Sequence, residues 1–313
     1  MTNNISKIQE LLREKADRLS RLNLMPYDGT PEIKTVNDSK YLYVRKRVGS
    51  RKISTYVGVY SEELYQLLVK NAKERRELNK AIKSIDKQLQ ALGYTEGELS
   101  PQVQQNLDFA RVNLKANIYD QAILEGVATS FPQTEEIIDN GMVNGMTVAD
   151  VQKILNLKHA WEFILDKDVI QCESDYYILC HIARLVNENF FDDGGRIRSV
   201  PVSIGGTKYI PPIPMEIDVK ERIAELISQK GDAVDIAIGL CLYCMRTQVF
   251  LDGNKRAAVI FANHYLIAKG EGLIVIPDKL VPEFKKLLVK YYESNEAQAI
   301  KDFMRQSCWR RIK

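Results

Sequence analysis

One short stretch, Gln248-Val249-Phe250-Leu251-Asp252-Gly253-Asn254-Lys255-Arg256, gathers an acid, two bases and two turn-forming residues between two apolar helical runs. Gly253 and Asn254 tolerate the backbone angles of a tight turn. A helix starting there would aim its unpaired N–H groups and the positive end of its dipole into that turn. Such a turn suits an anion. Lys255 and Arg256 add positive charge, Arg256 with a fork that can hold two phosphate oxygens, and Asp252 could hold a Mg²⁺ that bridges phosphates. The same residues also fit a capped helix start with a salt-bridged Lys-Arg pair, so the nine residues alone leave both readings open.

The elements that must position this stretch are mostly helices. From Pro101 onward, apolar spacing predicts helices near 102–122, 133–140, 147–164, 173–190, 216–229, 231–247, 254–269, 279–293 and 296–310. Thr147 with Asp150 resembles a capping box. Arg196 to Pro214 is the exception: β-branched residues flank Gly205-Gly206, which predicts a small β-hairpin inside a helical body. Upstream, an amphipathic helix over 5–22 is broken at Asp28-Gly29-Thr30-Pro31. A β-hairpin follows over 41–59 around Gly49-Ser50, and then a long helix capped at Ser61 runs to about Leu92. The expected fold class is mainly α, a helical bundle with a small hairpin flap preceded by a small α+β module. The expected domains are 1–100 and 101–313.

The 248–256 stretch resembles the signature of the Fic (Fido) family, His-x-Phe-x-Asp/Glu-Gly-Asn-Gly/Lys-Arg, whose protein adenylyltransferases move AMP from ATP to a hydroxyl of a target protein. Phe250, Asp252, Gly253, Asn254, Lys255 and Arg256 match it. Two further stretches occur in the family's order. Gly195-Arg196-Ile197-Arg198 leading to Gly206-Thr207-Lys208-Tyr209-Ile210-Pro211-Pro212 resembles the flap that aligns the target segment, and Glu125-Gly126 resembles the end of an inhibitory helix. The resemblance spans roughly residues 111–310. It implies ATP and Mg²⁺ as cofactors, with Asp252 as the metal ligand. Gly253, Asn254 and Lys255 would line the phosphate turn, Arg256 would hold the distal phosphates, and Phe250 would anchor the loop. Gly206, Thr207, Lys208 and Tyr209 would align a partner protein presenting Ser, Thr or Tyr.

Gln248 stands where the family has its His. In the family that His takes the proton of the attacking hydroxyl, and an amide has no titrating group, so transfer is expected to be impaired by about 10²–10⁴-fold while nucleotide binding survives. Gln121 replaces the inhibitory motif's Ser/Thr, and Val259 occupies its second Arg position, leaving Glu125 either a regulatory residue facing Arg256 or a plain helix end. The alternative function is a catalytically silent regulatory or nucleic-acid-associated protein that uses the helical body as an interaction scaffold and the N-terminal hairpin for nucleic acid. None of the three histidines is expected to replace the base. His181 reads as structural, His264 lies more than two helical turns beyond Arg256, and His159 reads as a surface or interhelix residue.

The chain carries 44 Lys and Arg against 41 acids, a net charge of +3 that by itself selects no polyanion. The balance is uneven: Tyr41 to Gln90 holds twelve basic and five acidic residues, net +7. Arg45, Lys46, Arg47, Arg51 and Lys52 interleave with Tyr41, Tyr43 and Tyr56, a pattern that can contact nucleic acid. The preferred expectation is a solvated tip counter-charged by Glu62, Glu63, Glu74 and Glu77 of the following helix. Cys241-Leu-Tyr-Cys244 formally matches C-x-x-C, but its apolar surroundings and the odd total of five cysteines predict core thiols. No apolar run reaches membrane-spanning length and the first fifteen residues lack a signal's apolar core, so a cytoplasmic location and no membrane partner are expected. A homodimer is left open.

Overall fold

The computed structural model describes residues 2–141, 143 and 145–312, and the chain divides into two compact units between Thr95 and Glu96. Met1, Met142, Asn144 and Lys313 lie outside the described residues. Among the described residues no helix is long and apolar enough to cross a membrane.

The first unit runs α1 (Thr2–Leu24), β1 (Thr30–Val36), β2 (Ser39–Val48), β3 (Arg51–Val59) and α2 (Glu62–Ala91). The strands form an antiparallel sheet in the order β1-β2-β3. Strand β1 falls where the sequence predicts only a break. Pro31 lacks a donor N–H, and an edge strand is where a sheet tolerates that. Asn37 and Asp38 make the β1–β2 turn with φ of 47° and 61°, left-handed angles that Asn and Asp accept more readily than other residues with a Cβ. Leu42 and Val44 of β2 are buried against Leu64, Tyr65 and Leu68 of α2, and Ser61 caps that helix by accepting from the Leu64 N–H.

The second unit is helical: α3 (Pro101–Val112), α4 (Leu114–Leu124), α5 (Phe131–Asn140), α6 (Val148–Ile164), α7 (Lys167–Ile170), α8 (Tyr176–Val186), α9 (Glu216–Ser228), α10 (Ala233–Thr247), α11 (Asn254–Lys269), α12 (Val281–Ser294) and α13 (Gln298–Phe303). Its axis is α11, buried on every side from Arg256 to Ile267 and packed on α8 and α10. Ala257, Ala258 and Ala262 keep that helix thin enough for close neighbours. A two-residue pair, β4 (Leu273–Ile274) with β5 (Trp309–Arg310), was not foreseen from the sequence. Asn263 of α11 holds β4 in place, accepting from the Ile274 N–H and donating to its carbonyl.

The mainly helical class expected from the sequence is the one observed, with differences in detail. The expected helix 102–122 is two helices, because the Asn113 side chain donates to the Phe109 carbonyl and turns the chain there. The expected helix 173–190 is α8 alone, preceded by the separate turn α7. The last helix stops at Phe303 and passes through a wide turn over Met304–Cys308 into β5. The hairpin predicted over 196–214 has no β-strand. Pro201, Pro211, Pro212 and Pro214 cannot donate to a ladder, and a single guanidinium ties the arms instead. Arg198 is 2% exposed and donates to the carbonyls of Val200, Pro211, Pro212, Thr247 and Gln248.

Candidate functional site

The 248–256 stretch is the link between α10 and α11. Helix α10 ends at Gln248, whose backbone is left-handed (φ 49°, ψ 64°). Its side chain is committed inside the loop: Nε2 donates to the Met245 carbonyl at 2.6 Å and Oε1 accepts from Asn254 Nδ2 at 3.1 Å. Asn254 ties the loop across itself, accepting from the Phe250 N–H at 2.9 Å and donating to the Phe250 carbonyl at 2.7 Å. Phe250 is 1% exposed, in keeping with an anchoring role. The sequence explains this closure locally, because Asn offers a donor and an acceptor on two separate atoms of one short side chain, enough to pair both backbone groups of a residue four positions back.

Helix α11 begins at Gly253, with φ at 75° and no side chain capping its first turn. Most of the longer helices around it are capped by a Ser, Thr or Asp: Ser100 on α3, Ser130 on α5, Thr147 on α6, Asp175 on α8 and Asp232 on α10. The N–H groups of Asn254, Lys255 and Arg256 therefore have no helical acceptor and no side-chain cap, which leaves them for water or an anion. Gly253 is required twice over, by its angle and by space, since a Cβ there would fall 2.7 Å from Asn187 Oδ1.

Arg256 is 3% exposed. It donates to the Val186 carbonyl at 2.7 Å and to Asp252 Oδ2 at 2.8 Å, and its Nε lies 3.5 Å from Glu125 Oε2. Both readings of the stretch thus have a physical counterpart: the salt bridge exists, and so does an uncapped helix start beside it. Glu125 ends α4, with its other oxygen 3.8 Å from Lys255 Nζ. Two buried atoms here, Arg256 Nε and Glu125 Oε1, meet their partners at ion-pair distance without a hydrogen bond. Gln121, in place of a hydroxyl residue, accepts from Trp161 Nε1 and donates to the Arg256 backbone carbonyl at 2.9 Å. Asp252 has one oxygen on Arg256 and a side chain more than half exposed. One carboxylate is too little to hold a metal by itself but suits a Mg²⁺ shared with phosphates and water. Among the described residues, no group of three or more His, Cys, Asp or Glu could hold a metal ion.

Two positioning residues, Asn187 and Arg246, were missed from the sequence, and Arg198 was read only as part of the flap stretch. Asn187, just past α8, donates to the carbonyls of Gly194 and Asp252 and accepts from Arg256, so it spans both sides of the loop. The flap base hangs on Arg198, as described above. The flap tip is held by Arg246, whose guanidinium lies 4.2 Å over the Tyr209 ring. Thr207 Oγ1 and the Lys208 N–H both donate to Glu293 of α12, and Tyr209 stacks near Tyr292. No motif announces Asn187 or Arg246, or the reach of Arg198, because each acts through backbone carbonyls or rings far away in sequence.

The histidines and cysteines stay out of the chemistry. His181 is stacked on Phe163 at 4.2 Å, and His159, 2% exposed, is an interhelix residue paired with Glu188 rather than a surface one. His264 is buried and bonded to Ser174 and the Val169 carbonyl, and burial pushes its pKa down to about 4. Burial pushes the Cys244 thiol up to about 12 and the Cys241 thiol well up, so both remain protonated core groups. A cavity of about 750 Å³, lined by Tyr176, Tyr177, Lys220 and Ile223, lies by Tyr265 and Lys269. That is the other end of α11, roughly 20 Å along the axis from the loop.

Residues 174–266, which contain this loop and the flap, match the Fic/DOC family model. The chain carries a Fic-type domain. Its fold is similar to that of Fic-1 (residues 134–508) from C. elegans, at 19% identity and a TM-score of 0.51, covering 76% of this chain and 72% of that one. It is also similar to a Fic domain containing signaling protein from Bacteroides thetaiotaomicron VPI-5482, at 19% identity and a TM-score of 0.51, covering 71% and 91%. Residues 5–66 match a model described as a domain of unknown function, DUF6788. No curated protein matches the chain.

Proposed function

We propose that the 248–256 loop binds the phosphates of ATP with Mg²⁺, on a scaffold that moves AMP to a target hydroxyl when its base is present. The observation that carries this is the start of α11, uncapped by any side chain at a left-handed glycine, with Lys255 and Asp252 on either side. Gly253, Asn254 and Lys255 would line the phosphate turn, with the free N–H groups of Asn254, Lys255 and Arg256 turned to phosphate oxygens. When bound, Mg²⁺ would sit on Asp252 and neutralise developing phosphate charge. Arg256 would turn its Asp252-facing nitrogen toward the distal phosphates. Glu125 occupies the electrostatic place of an anion beside Lys255 and Arg256, which makes it a brake on nucleotide binding.

In transfer, the target's hydroxyl oxygen would bond to the α-phosphorus, pyrophosphate would leave, and the hydroxyl proton would need an acceptor. Gln248 supplies none, and both ends of its amide are already bonded, so the chain is read as a nucleotide binder with slow transfer. Gly206, Thr207, Lys208 and Tyr209 would align the target segment. Val200, Ile210 and Ile213 of the flap are exposed and apolar, suited to a peptide partner. Calorimetric titration with ATP and Mg²⁺ tests the binding, with Arg256→Ala expected to weaken it at least tenfold. Equal affinity in parent and variant removes the phosphate assignment. Mass spectrometry of Gln248→His with ATP and a cell lysate then tests the reaction, through an AMP increment that the parent lacks. Binding without any increment in the variant would favour the silent regulator.

A further inference from the structure

The first unit has two unlike faces. Helix α2 covers Leu42 and Val44, so strand alternation sends Tyr41, Tyr43, Arg45 and Arg47 of β2 to the opposite side. Register brings β3 residues into line with them, Tyr56 opposite Tyr43 and Lys52 opposite Arg47. The three tyrosines form one cluster. Ring centroids of Tyr43 and Tyr56 are 5.5 Å apart and those of Tyr41 and Tyr56 are 6.3 Å apart, while Lys34 Nζ stands 4.2 Å over the Tyr43 ring. Tyr56 is 52% exposed. Residues 30–59 carry seven Lys and Arg against two acids.

The counter-charge expected from α2 is not delivered to this face. That helix lies on the other side of the sheet. Its Glu62 bonds Tyr60 and Gln66, and its Glu74 pairs with Arg21 of α1 at 2.9 Å. Among the described residues only Glu32, 3.9 Å from Arg45, and Asp28, 3.6 Å from Lys46, meet the basic residues of the sheet tip at ion-pair distance. Arg47, Arg51 and Lys52 make no ion pair among the described residues. Cations with no carboxylate near repel one another and the exposed rings beside them stay hydrated, and an anion carrying flat apolar groups relieves both.

We propose that this open sheet face binds single-stranded nucleic acid, with bases stacked on the tyrosine cluster and phosphates against Arg45, Arg47 and Lys52. Unpaired bases are favoured over duplex because a ring lying in a broad sheet face can be covered by a free base, whereas a duplex offers it only phosphates and groove edges. The proposal is independent of the nucleotide reading of the 248–256 loop, since it rests on residues of the other unit.

The test is fluorescence anisotropy of the full chain with fluorescein-labelled dT and rU 15-mers and a 15-base-pair duplex, at 50 and 200 mM KCl. Binding to a single strand at 50 mM is expected to weaken about 20-fold at 200 mM, the loss for roughly three neutralised phosphates. Tyr56→Ala should weaken it at least fivefold through lost stacking, with Tyr56→Phe retaining affinity. Arg47→Gln with Lys52→Gln, both at the exposed tip, should weaken it and flatten the salt dependence. Circular dichroism checks that each variant keeps the fold. Absence of binding at 50 mM, equal affinity for Tyr56→Ala, or tighter binding to the duplex would each overturn the proposal.

Discussion

Asn187→Ala is the substitution that most directly asks whether the loop is held from behind. Its amide donates to the Gly194 carbonyl at 3.0 Å and to the Asp252 carbonyl at 2.9 Å, and its oxygen accepts a longer bond of 3.4 Å from Arg256. Two neutral bonds at about 1 kcal/mol each, with a buried Gly194 carbonyl left unpaired, give an expected loss of about 2–3 kcal/mol. The 3.4 Å bond adds little at that length. Trp161 and Trp309 both belong to the second unit, so tryptophan fluorescence in urea follows this unit alone. Because Asn187 also lies against Gly253, the same variant should weaken ATP–Mg²⁺ binding. A stability change below about 0.5 kcal/mol, the size of an ordinary surface substitution, would refute the bonding argument. Full stability loss with unchanged nucleotide affinity would show that Asn187 supports the bundle without orienting the loop.

Gly253→Ala should cost at least about 1–2 kcal/mol, the penalty of a Cβ at a left-handed position before its clash with Asn187 is added, read by the same urea titration; a neutral result would mean that the loop relaxes freely. His264 takes its proton near 6.5 when unfolded and near 4 when folded, so the unfolded chain binds more protons between those values and stability is lost as pH falls through them. The effect is about 2 kcal/mol at pH 5, and the pH dependence of His264→Gln should be shallower by that amount, which equal profiles for the two proteins would contradict. Arg246→Met removes the cation over Tyr209 and should speed tryptic cleavage at Lys208, where unchanged cleavage would mean that Glu293 alone holds the flap.

The sequence by itself determined the helical class, the position of the turn that opens α11 and the burial of the Cys241 and Cys244 thiols. Those properties follow from local rules: apolar spacing at the helical period, a Gly-Asn pair before a helix, and cysteines inside apolar runs. The absence of a titrating base at position 248 was legible because it depends on residue type alone. Tertiary structure decided what the charges do. The sequence left Glu125 either facing Arg256 or a plain helix end, and only the folding of α4 beside α11 sets it 3.5 Å from that guanidinium. The flap read as a hairpin because its residues favour strands, while its shape is fixed by one Arg198 fork reaching five carbonyls, a non-local bond set that no window of sequence contains. The basic hairpin shows the same division most clearly. Composition put acids near it along the chain, and the packing of α2 on Leu42 and Val44 put those acids across the sheet from the tyrosines, because a strand has two faces and a helix can cover only one.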